Sequence, residues 1–234
     1  MEIPGVFAGG CGKTTLLRCI AGLEPVSKGL ININGTEIKA PGTDRMMVFQ
    51  DFNQLFPWLN VRNNIIFPLK VAGRGQNDKE RKQLADYYLE LVGMNDYINL
   101  YPYQLSGGMK QRTAIARALA LNPKVLLMDE PFGSLDAVTR TDLQEELLKI
   151  WEETKVTIIF VTHNIEEALL LTNRIIVMKS GRIEKIMQNS IPRPRHYNMR
   201  EFICMWEELR ELLTGKDSKV KTVRKIKKEA ELAF

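Results

Sequence analysis

The stretch that decides the fold is Pro102–Asp136, which reads PYQLSGGMKQRTAIARALALNPKVLLMDEPFGSLD. Its middle part, Met109–Ala120, is predicted to be a helix because apolar residues recur there every three or four positions. Asn122 and Pro123 then end the helix, since proline cannot continue one. The apolar residues are Ala114, Ile115, Ala118 and Leu119.

A first polar segment, Ser106, Gly107 and Gly108, opens this helix. The start of a helix has unpaired backbone N–H groups and a partial positive charge. Glycine allows an anion to approach the backbone closely, and the serine hydroxyl is a further donor. This combination is typical of a phosphate-binding site.

A second polar segment follows Lys124–Asp129, an apolar run that is too short for a helix and is predicted to be a buried strand. Asp129 and Glu130 lie at its carboxyl end, where open α/β sheets bind ligands. One carboxylate, assigned here to Asp129, suits Mg²⁺. The adjacent carboxylate of Glu130 can activate a water molecule.

Three segments, in this order, resemble the motifs of ATP-binding cassette (ABC) ATPases. Leu105–Met109 is similar to their signature motif, Val125–Glu130 to the Walker B strand with the catalytic glutamate, and Ser134–Asp136 to the D-loop. The resemblance extends to about Ile186. It implies an α/β fold, the P-loop NTPase cassette of ABC ATPases, with a parallel core sheet, helices on both faces, and a helical subdomain over about residues 52–110.

A glycine-rich segment near the start matches the latter half of the P-loop pattern. In such a loop backbone N–H groups cradle phosphates, Lys13 reaches the outer phosphates, and Thr14 is a ligand of Mg²⁺. A helix over Thr14–Ala21 follows, with Gly22 as its predicted end. The residues predicted to bind the nucleotide here are Gly9, Gly10, Cys11, Gly12, Lys13, Thr14 and Thr15.

The loop departs from the family pattern at its first position, which is Phe7 where the pattern has glycine. The strand that feeds the loop is reduced to a few residues around Pro4–Phe7. Family members carry a further block of roughly thirty residues ahead of this point, with an aromatic residue that stacks on adenine. The resemblance therefore leads us to expect that the N-terminal strands of the cassette are missing.

Two further residues take their roles from the resemblance. Arg45–Gln50 is predicted to be a strand, and a glutamine at its end contacts Mg²⁺ and the attacking water in ABC ATPases. Thr157–Val161 is rich in β-branched residues and is predicted to be a buried strand. His163 follows it and resembles the switch histidine that contacts the γ-phosphate. The implied catalytic residues are Glu130, His163 and Gln50, the implied Mg²⁺ ligands are Thr14, Gln50 and Asp129, and the implied ATP contacts include Ser106, Gly107, Gly108 and Asp136.

The loop Asp51–Trp58 is unusually rich in aromatic residues. From the residues alone, its aromatic side chains belong either to the core or to a docking surface, because exposed aromatic residues in a rigid turn make good interface anchors. Together with Val61–Asn64 the loop resembles importers of nitrate, sulfonates and taurine. This resemblance favours docking of a transmembrane permease. The candidate docking residues are Phe56, Pro57 and Trp58.

Other elements are predicted from local patterns. Gly29–Gly35 alternates apolar and polar residues, which predicts a half-buried strand. Asp78 is predicted to cap a helix that runs to about Val92. The apolar face predicted for this helix consists of Leu84, Tyr87, Tyr88 and Leu91.

The last third of the sequence predicts four more elements. They are a helix over Asp136–Glu153, a short helix over Asn164–Thr172, a hairpin of Arg174–Met178 with Arg182–Ile186, and an amphipathic helix over Met199–Leu213. The amphipathic helix packs either on the cassette or on a partner. The basic run Lys216–Lys228 is predicted to be a solvated tail, with contact to anionic lipid or nucleic acid left open.

Composition is ordinary for a globular protein: 44% of the 234 residues are hydrophobic and 26% are charged. The net charge of +5 permits an acidic partner without requiring one. The three cysteines show neither metal-site spacing nor an even disulfide set, which favours a reducing cytosol. No apolar stretch approaches the length of a membrane span, and no secretory signal is recognisable.

We therefore expect an ABC ATPase cassette over residues 1–190 and a C-terminal helix with a basic tail over residues 191–234. The expected function is ATP hydrolysis, with Mg²⁺, that energises import of a solute of the nitrate, sulfonate or taurine class. The expected partners are a permease, a second cassette as a homodimer and an extracytoplasmic solute-binding protein, without nucleic acid. The expected place is the cytoplasmic face of the membrane. The alternatives are a soluble ABC ATPase that acts on nucleic acid or ribosomes, and an inactive truncated cassette.

Overall fold

The structure, a computed structural model, describes residues 4–7 and 12–214. The predictions for Gly9, Gly10, Cys11 and the basic run lie outside the described residues. Internal contacts divide the chain into two compact units, Met1–Ser190 and Ile191–Phe234.

The first unit is built around a six-stranded sheet. The strands of the unit are β1 Pro4–Phe7, β2 Asn32–Ile33, β3 Thr36–Glu37, β4 Arg45–Val48, β5 Val125–Asp129, β6 Thr157–Thr162, β7 Arg174–Lys179 and β8 Arg182–Gln188. The main sheet has the order β4-β5-β6-β1-β7-β8, and only the β7–β8 pair is antiparallel. This confirms the predicted parallel core sheet, and the β7–β8 pair is the predicted hairpin.

Seven helices accompany these strands in the described part of the chain. They are α1 Lys13–Ala21, α2 Val61–Val71, α3 Asp78–Leu91, α4 Gly107–Leu119, α5 Ala137–Thr154, α6 Ile165–Leu171 and α7 Arg200–Thr214. The end of α1 lies where predicted, because Gly22 adopts a left-handed conformation with φ 75° that an L side chain rarely takes.

The register of the sheet brings three strand ends to one edge. Phe7 pairs with Thr162, and Asp129 pairs with Val161. The residues that directly follow β1, β5 and β6 therefore lie close together, at the carboxyl edge where open parallel sheets bind ligands.

The core of the first unit holds this edge in place. Every residue of β5 is buried. Directly beyond β5, the ring of Phe132 packs edge-to-face on Phe160 of β6, with 6.2 Å between ring centroids, and both residues are fully buried. Aromatic pairs of this geometry add to the stabilisation from area burial, so the turn after Asp129 is anchored to the core.

The predicted strand Gly29–Gly35 is wrong in extent. Only Asn32–Ile33 forms a strand, and it turns back at once into β3. Asn34 and Gly35 occupy the turn with φ 50° and 82°. An Asn-Gly pair with both φ values positive is the preferred two-residue hairpin turn, and the alternation of Gly29–Gly35 concealed that signal.

The predicted cap of α3 is wrong, whereas its predicted apolar face is right except at Tyr87, since Tyr88 is buried and Leu84 and Leu91 pack partly buried against the core. The N-cap is Asn77, whose side chain accepts from the Glu80 N–H at 2.9 Å. Tyr87 is 46% exposed and donates to Glu153. Helices α2 and α4 cover this side of α3, and the buried positions there are Ala85, Tyr88, Leu89 and Val92.

Helix α2 was not predicted, and it organises the aromatic loop. Asn64 in its second turn is fully buried. Its carboxamide accepts from the Phe56 N–H at 2.8 Å and donates to the carbonyls of Phe56, Leu59 and Asn60 at 3.2, 2.9 and 3.1 Å. A single side chain thus satisfies the polar backbone of the turn over residues 56–60.

Replacing Asn64 by alanine should lower the free energy of unfolding by about 2–4 kcal/mol, because several backbone groups of the turn lose their partner. Urea denaturation checks this value. Asn63→Ala on the same helix is the control, since the Asn63 side chain is exposed. Equal stability of the two variants would contradict the role of Asn64.

A partly buried contact between Arg112 and Glu146 joins α4 to α5. Arg112 donates to Glu146 and also to the carbonyl of Val92 at 3.2 Å. The Glu146 side chain is 14% exposed, and burial raises its pKa to about 7 despite the nearby Arg112. Between the ordinary pKa of a glutamate and about pH 7, Glu146 is therefore protonated in the folded chain and ionised in the unfolded chain.

This shift predicts a pH dependence of stability. The contribution of Glu146 to the free energy of unfolding should fall by about 1–3 kcal/mol as the pH rises through that window, and should level off above it. Urea denaturation at about pH 5 and about pH 8 measures the fall. Glu146→Gln should reduce it, whereas Glu145→Gln, at an exposed position of the same helix, should not.

The second unit contains α7, which confirms the predicted amphipathic helix. Phe202 and Leu209, which are seven residues apart, are buried. The ring of Tyr197 packs edge-to-face on Phe202 with 5.5 Å between centroids. Two positions of the apolar stripe of α7 are therefore buried.

Candidate active site

The first part of the site is the start of α1. Gly12 precedes the helix with φ 89°, a left-handed conformation that explains why glycine stands there. Lys13 is only 6% exposed. Its ammonium donates to the Thr162 carbonyl at 3.3 Å and lies 3.8 Å from Glu130 Oε1. A buried lysine is thereby held at the carboxyl edge of the sheet.

The second part links α1 to β5. The Thr14 hydroxyl donates to Asp129 Oδ1 at 3.2 Å. Burial raises the pKa of Asp129, and the hydrogen bond from Thr14 partly offsets that effect. Mg²⁺ binds oxygen ligands in a near-ideal octahedron, in which adjacent ligands lie about 3 Å apart. The hydroxyl and carboxylate oxygens of this pair fit that requirement.

The third part is the turn after β5. Glu130 has φ 44°, a conformation that is uncommon for non-glycine residues and costly outside a constrained site. Its N–H donates to the Val161 carbonyl at 3.0 Å, and its own carbonyl accepts from the Gly133 N–H at 3.1 Å. The backbone is therefore held on both sides, and the carboxylate points along the sheet edge toward β6.

The Glu130 carboxylate lies between two nitrogen groups. Its Oε2 is 3.1 Å from His163 Nδ1, and its Oε1 faces Lys13. The His163 side chain is 62% exposed, and that of Glu130 is 23% exposed. A carboxylate that is fixed by the fold and still open to water can accept a proton from a water molecule.

Gln50 lies beside the same turn. A methyl group at Gly133 would be 3.6 Å from Glu130 Oε2 and 3.8 Å from Gln50 Nε2. The structure therefore brings together residues that are far apart in sequence. They are Lys13, Thr14, Gln50, Asp129, Glu130 and His163.

Sequence reasoning missed Glu167, which supports this cluster from α6. It is 5% exposed and accepts a hydrogen bond from the Thr162 hydroxyl, which itself accepts from the Asn164 N–H at 3.0 Å. Burial raises the pKa of Glu167, and the Thr162 bond lowers it. Thr162 lies next to His163, and its carbonyl accepts from Lys13. No sequence signal marked Glu167, because a glutamate in the first turn of a helix is common.

The Ser106 helix start is placed as predicted. Ser106 is exposed and is the N-cap of α4, accepting from the Met109 N–H at 3.3 Å. Within one chain, the start of α4 lies against α5. A methyl group at Gly108 would lie 2.5 Å from Thr139 Cγ2. Gly108 is therefore needed for close packing of α4 on α5.

Asp136 acts as the N-cap of α5. Its carboxylate accepts from the N–H groups of Val138 and Thr139, each at 3.1 Å. Hydrogen bonds from Thr139 lower the pKa of Asp136. The predicted contact of Asp136 with ATP stays a prediction. The predicted contact of Thr15 with the nucleotide also stays a prediction; Thr15 lies at an exposed position on α1.

Gly108→Ala should shift either the start of α4 or the Thr139 side chain and destabilise the chain by about 1–3 kcal/mol, because the added methyl group overlaps Thr139 Cγ2. Thermal or urea denaturation measures the loss. Thr139→Ser removes the methyl group in question and keeps the hydroxyl, so the double variant should regain most of the lost stability. An equal loss with threonine and serine at residue 139 would contradict this packing.

The aromatic loop divides between core and surface. Leu55 is 4% exposed and belongs to the core, whereas Trp58 is 71% exposed. Phe56 lies between them, packed on Trp58 at 5.7 Å and on Phe67 at 5.3 Å between centroids. The result is an aromatic surface on a rigid turn. Among the described residues, no helix combines the length and apolar character needed to cross a bilayer.

The sequence model of the ABC transporter family matches residues 8–133. The chain belongs to the ABC transporter family. It is an ATP-binding cassette of that family, with the α/β fold of P-loop NTPases. The predicted family, fold and activity, ATP hydrolysis coupled to transport, are confirmed.

Relatives of this ABC cassette are named for several solutes. It is 45% identical over 224 residues to the nitrate import ATP-binding protein NrtD of Synechocystis, covering 91% of this chain and 83% of the relative. It is 48% identical over 195 residues to the aliphatic sulfonates import ATP-binding protein SsuB of Bacillus cereus, covering 82% and 75%. It is also 48% identical over 189 residues to the bicarbonate transport ATP-binding protein CmpC of Synechocystis, where it spans 80% of this chain but 28% of the relative.

A solved structure resembles the same cassette. It is the dimeric post-hydrolysis state of the ATP-binding cassette MJ0796 bound to ADP and Pi, with a TM-score of 0.70 and 34% sequence identity. The match covers 80% of this chain and 85% of that one. The likeness supports the cassette fold beyond the family motifs.

Proposed function

We propose that this ABC cassette energises solute import through a transmembrane permease, by hydrolysing ATP between two copies of the cassette. The observation that carries the proposal is the position of the Glu130 carboxylate, 3.1 Å from His163 and 3.8 Å from Lys13. A base, a cation and a histidine that surround one open space suit the transfer of a phosphoryl group to water.

In the proposed reaction Glu130 orients a water molecule and takes one of its protons. The water oxygen forms a bond to the γ-phosphorus while the bond from that phosphorus to the bridging oxygen breaks, which yields ADP and phosphate. Lys13 and His163 stabilise the charge on the oxygens of the transferring group. Mg²⁺, when bound, neutralises phosphate charge. Thr14, Asp129 and Gln50 are the residues proposed to hold it.

The second copy is proposed because each chain carries two phosphate-directed features on different elements. The start of α1 lies at the sheet edge, whereas Ser106 is exposed at the start of α4, against α5. One triphosphate bound to α1 of one copy and to α4 of the other joins the two chains. The dimer described for MJ0796 supports a pairing of this kind. Gly107, Gly108 and Asp136 are proposed to line the same interface.

The permease is proposed to dock on the aromatic surface near Phe56, Pro57 and Trp58. Two features support this: the large exposed area of Trp58, and the rigid turn built by Asn64. Docking there places the cassette at the cytoplasmic face of the membrane. The relatives named for nitrate and sulfonate import support a solute of that class, delivered by an extracytoplasmic binding protein.

A capture experiment tests the docking step. The tagged full chain is mixed with detergent-solubilised membranes of its source cell, and bound polytopic membrane proteins are identified by mass spectrometry. We expect the wild type to retain a permease and Trp58→Glu to lose it. Ile183→Glu, an equally charged change at another exposed apolar residue, should retain it. Equal retention by both variants would contradict docking at Trp58, and stimulation of ATPase activity by DNA, RNA or ribosomes would favour a soluble role.

A further inference from the structure

The side chain of Gln54 holds the backbone directly before Gln50. Its Nε2 donates to the Phe49 carbonyl at 3.0 Å, and its Oε1 accepts from the Phe49 N–H at 3.2 Å. A carboxamide that pairs with both groups of one residue acts as a substitute strand partner. It does so just after Val48, where β4 has ended.

Gln54 is itself fastened to α4. Its Nε2 also donates to Gln111 Oε1 at 3.4 Å, and Arg117 donates to the Gln54 carbonyl at 2.9 Å. Gln111 is fully buried, and the guanidinium of Arg117 lies 5.5 Å from the centre of the Phe56 ring. Gln54 is therefore bound to a helix of the core at two points, through its side chain and through its backbone carbonyl.

The loop between Phe49 and Gln54 has one more internal bond. Asp51 accepts from the Asn53 N–H at 2.8 Å and caps the helical turn Phe52–Gln54. Gln50 itself is exposed, so its direction depends on the backbone that flanks it. That backbone is fixed on one side by Gln54 and on the other by the Asp51 cap.

We propose that Gln54 is a positioning residue for Gln50, which it holds beside Glu130 from an anchor on α4. The inference rests on the proposed function, in which Gln50 contacts Mg²⁺ and the attacking water. Without the Gln54 carboxamide, the N–H and the carbonyl of Phe49 lose these two hydrogen bonds. The direction of the next residue, Gln50, is then no longer fixed from this side. A displacement of about 1 Å at a reacting centre lowers a rate by about a hundredfold.

Hydrogen exchange tests the physical contact without any need for catalysis. In the full chain, Gln54→Ala should speed exchange of the Phe49 amide by about fivefold to tenfold, because its acceptor is lost. Asn53→Ala, at an exposed neighbouring position, should leave that amide unchanged. Equal exchange in the two variants would overturn the inference.

A double-mutant cycle tests the action through Gln50. Gln54→Ala should lower the kcat of ATP hydrolysis by about tenfold to a hundredfold, with little change in KM. In a Gln50→Ala chain the same change should alter kcat by less than about twofold. A full additional loss in the Gln50→Ala chain would overturn the inference and leave the role of Gln50 intact. Wild-type turnover by Gln50→Ala alone would instead contradict the proposed role of Gln50, and the inference with it.

Discussion

Replacing Glu130 by glutamine should lower ATP turnover by about a hundredfold to ten-thousandfold, while ATP is still bound. The amide keeps the shape of the side chain but cannot take a proton from water. The residues that hold phosphate, Lys13 and the α1 start, are left in place. Release of inorganic phosphate measures turnover, and equilibrium binding of a fluorescent ATP analogue measures affinity.

Glu166→Gln is the matched control for this change. Glu166 is an exposed glutamate in the first turn of α6, and its replacement should leave turnover within about twofold. Undiminished turnover in Glu130→Gln would remove the assigned role of Glu130. A loss of ATP binding in Glu130→Gln would show that the carboxylate acts in binding and not in the chemical step.

Replacing Lys13 by alanine should weaken ATP binding by about tenfold to several-hundredfold, because charge-assisted hydrogen bonds to phosphate are lost. Lys13 is nearly buried and its ammonium donates to the Thr162 carbonyl, so the fold holds this cation at the carboxyl edge of the sheet. Turnover should fall as well, since the same ammonium stabilises the transferring group.

Lys39→Ala provides the control for Lys13→Ala. The Lys39 side chain is 77% exposed and pairs with Glu37 at the surface, so its loss should leave affinity unchanged. Circular dichroism confirms that both variants are folded. Unchanged ATP affinity in a folded Lys13→Ala chain would contradict the placement of the phosphates at α1.

Much of the fold could be predicted from local patterns. Helix α4, strand β5 and the β7–β8 hairpin were predicted within a few residues, because α4 has a clear helical period, β5 is a short continuous apolar run, and Ser180 and Gly181 mark the turn of the hairpin. The hairpin at Asn34 and Gly35 was misread because the alternation of apolar and polar residues over Gly29–Gly35 imitates the period of one longer strand. The apolar face of α3 was predicted except for Tyr87, Ala85, Leu89 and Val92, because the packing of α2 and α4 decides which neighbouring positions become fully buried.

The site could be predicted only as far as the motifs reach. The order of the motifs indicated Lys13, Glu130 and His163, and the parallel register explains why they meet. The contacts of Gln54 with Phe49 and of Glu167 with Thr162 could not be predicted, although each joins residues only five positions apart, because they depend on side-chain rotamers that no sequence pattern marks. Helix α2 was missed because its polar first turn and Pro68 obscure the helical period.

The central claim is that one ATP joins the start of α1 in one copy to the Ser106 helix start in a second copy. Sedimentation of the Glu130→Gln chain with and without ATP tests it most directly, because slow hydrolysis preserves the bridged state. We predict an ATP-dependent dimer for Glu130→Gln, and a monomer that still binds ATP when Ser106→Arg is added. A dimer that persists in the double variant, or a Glu130→Gln chain that binds ATP and stays monomeric, would contradict the account.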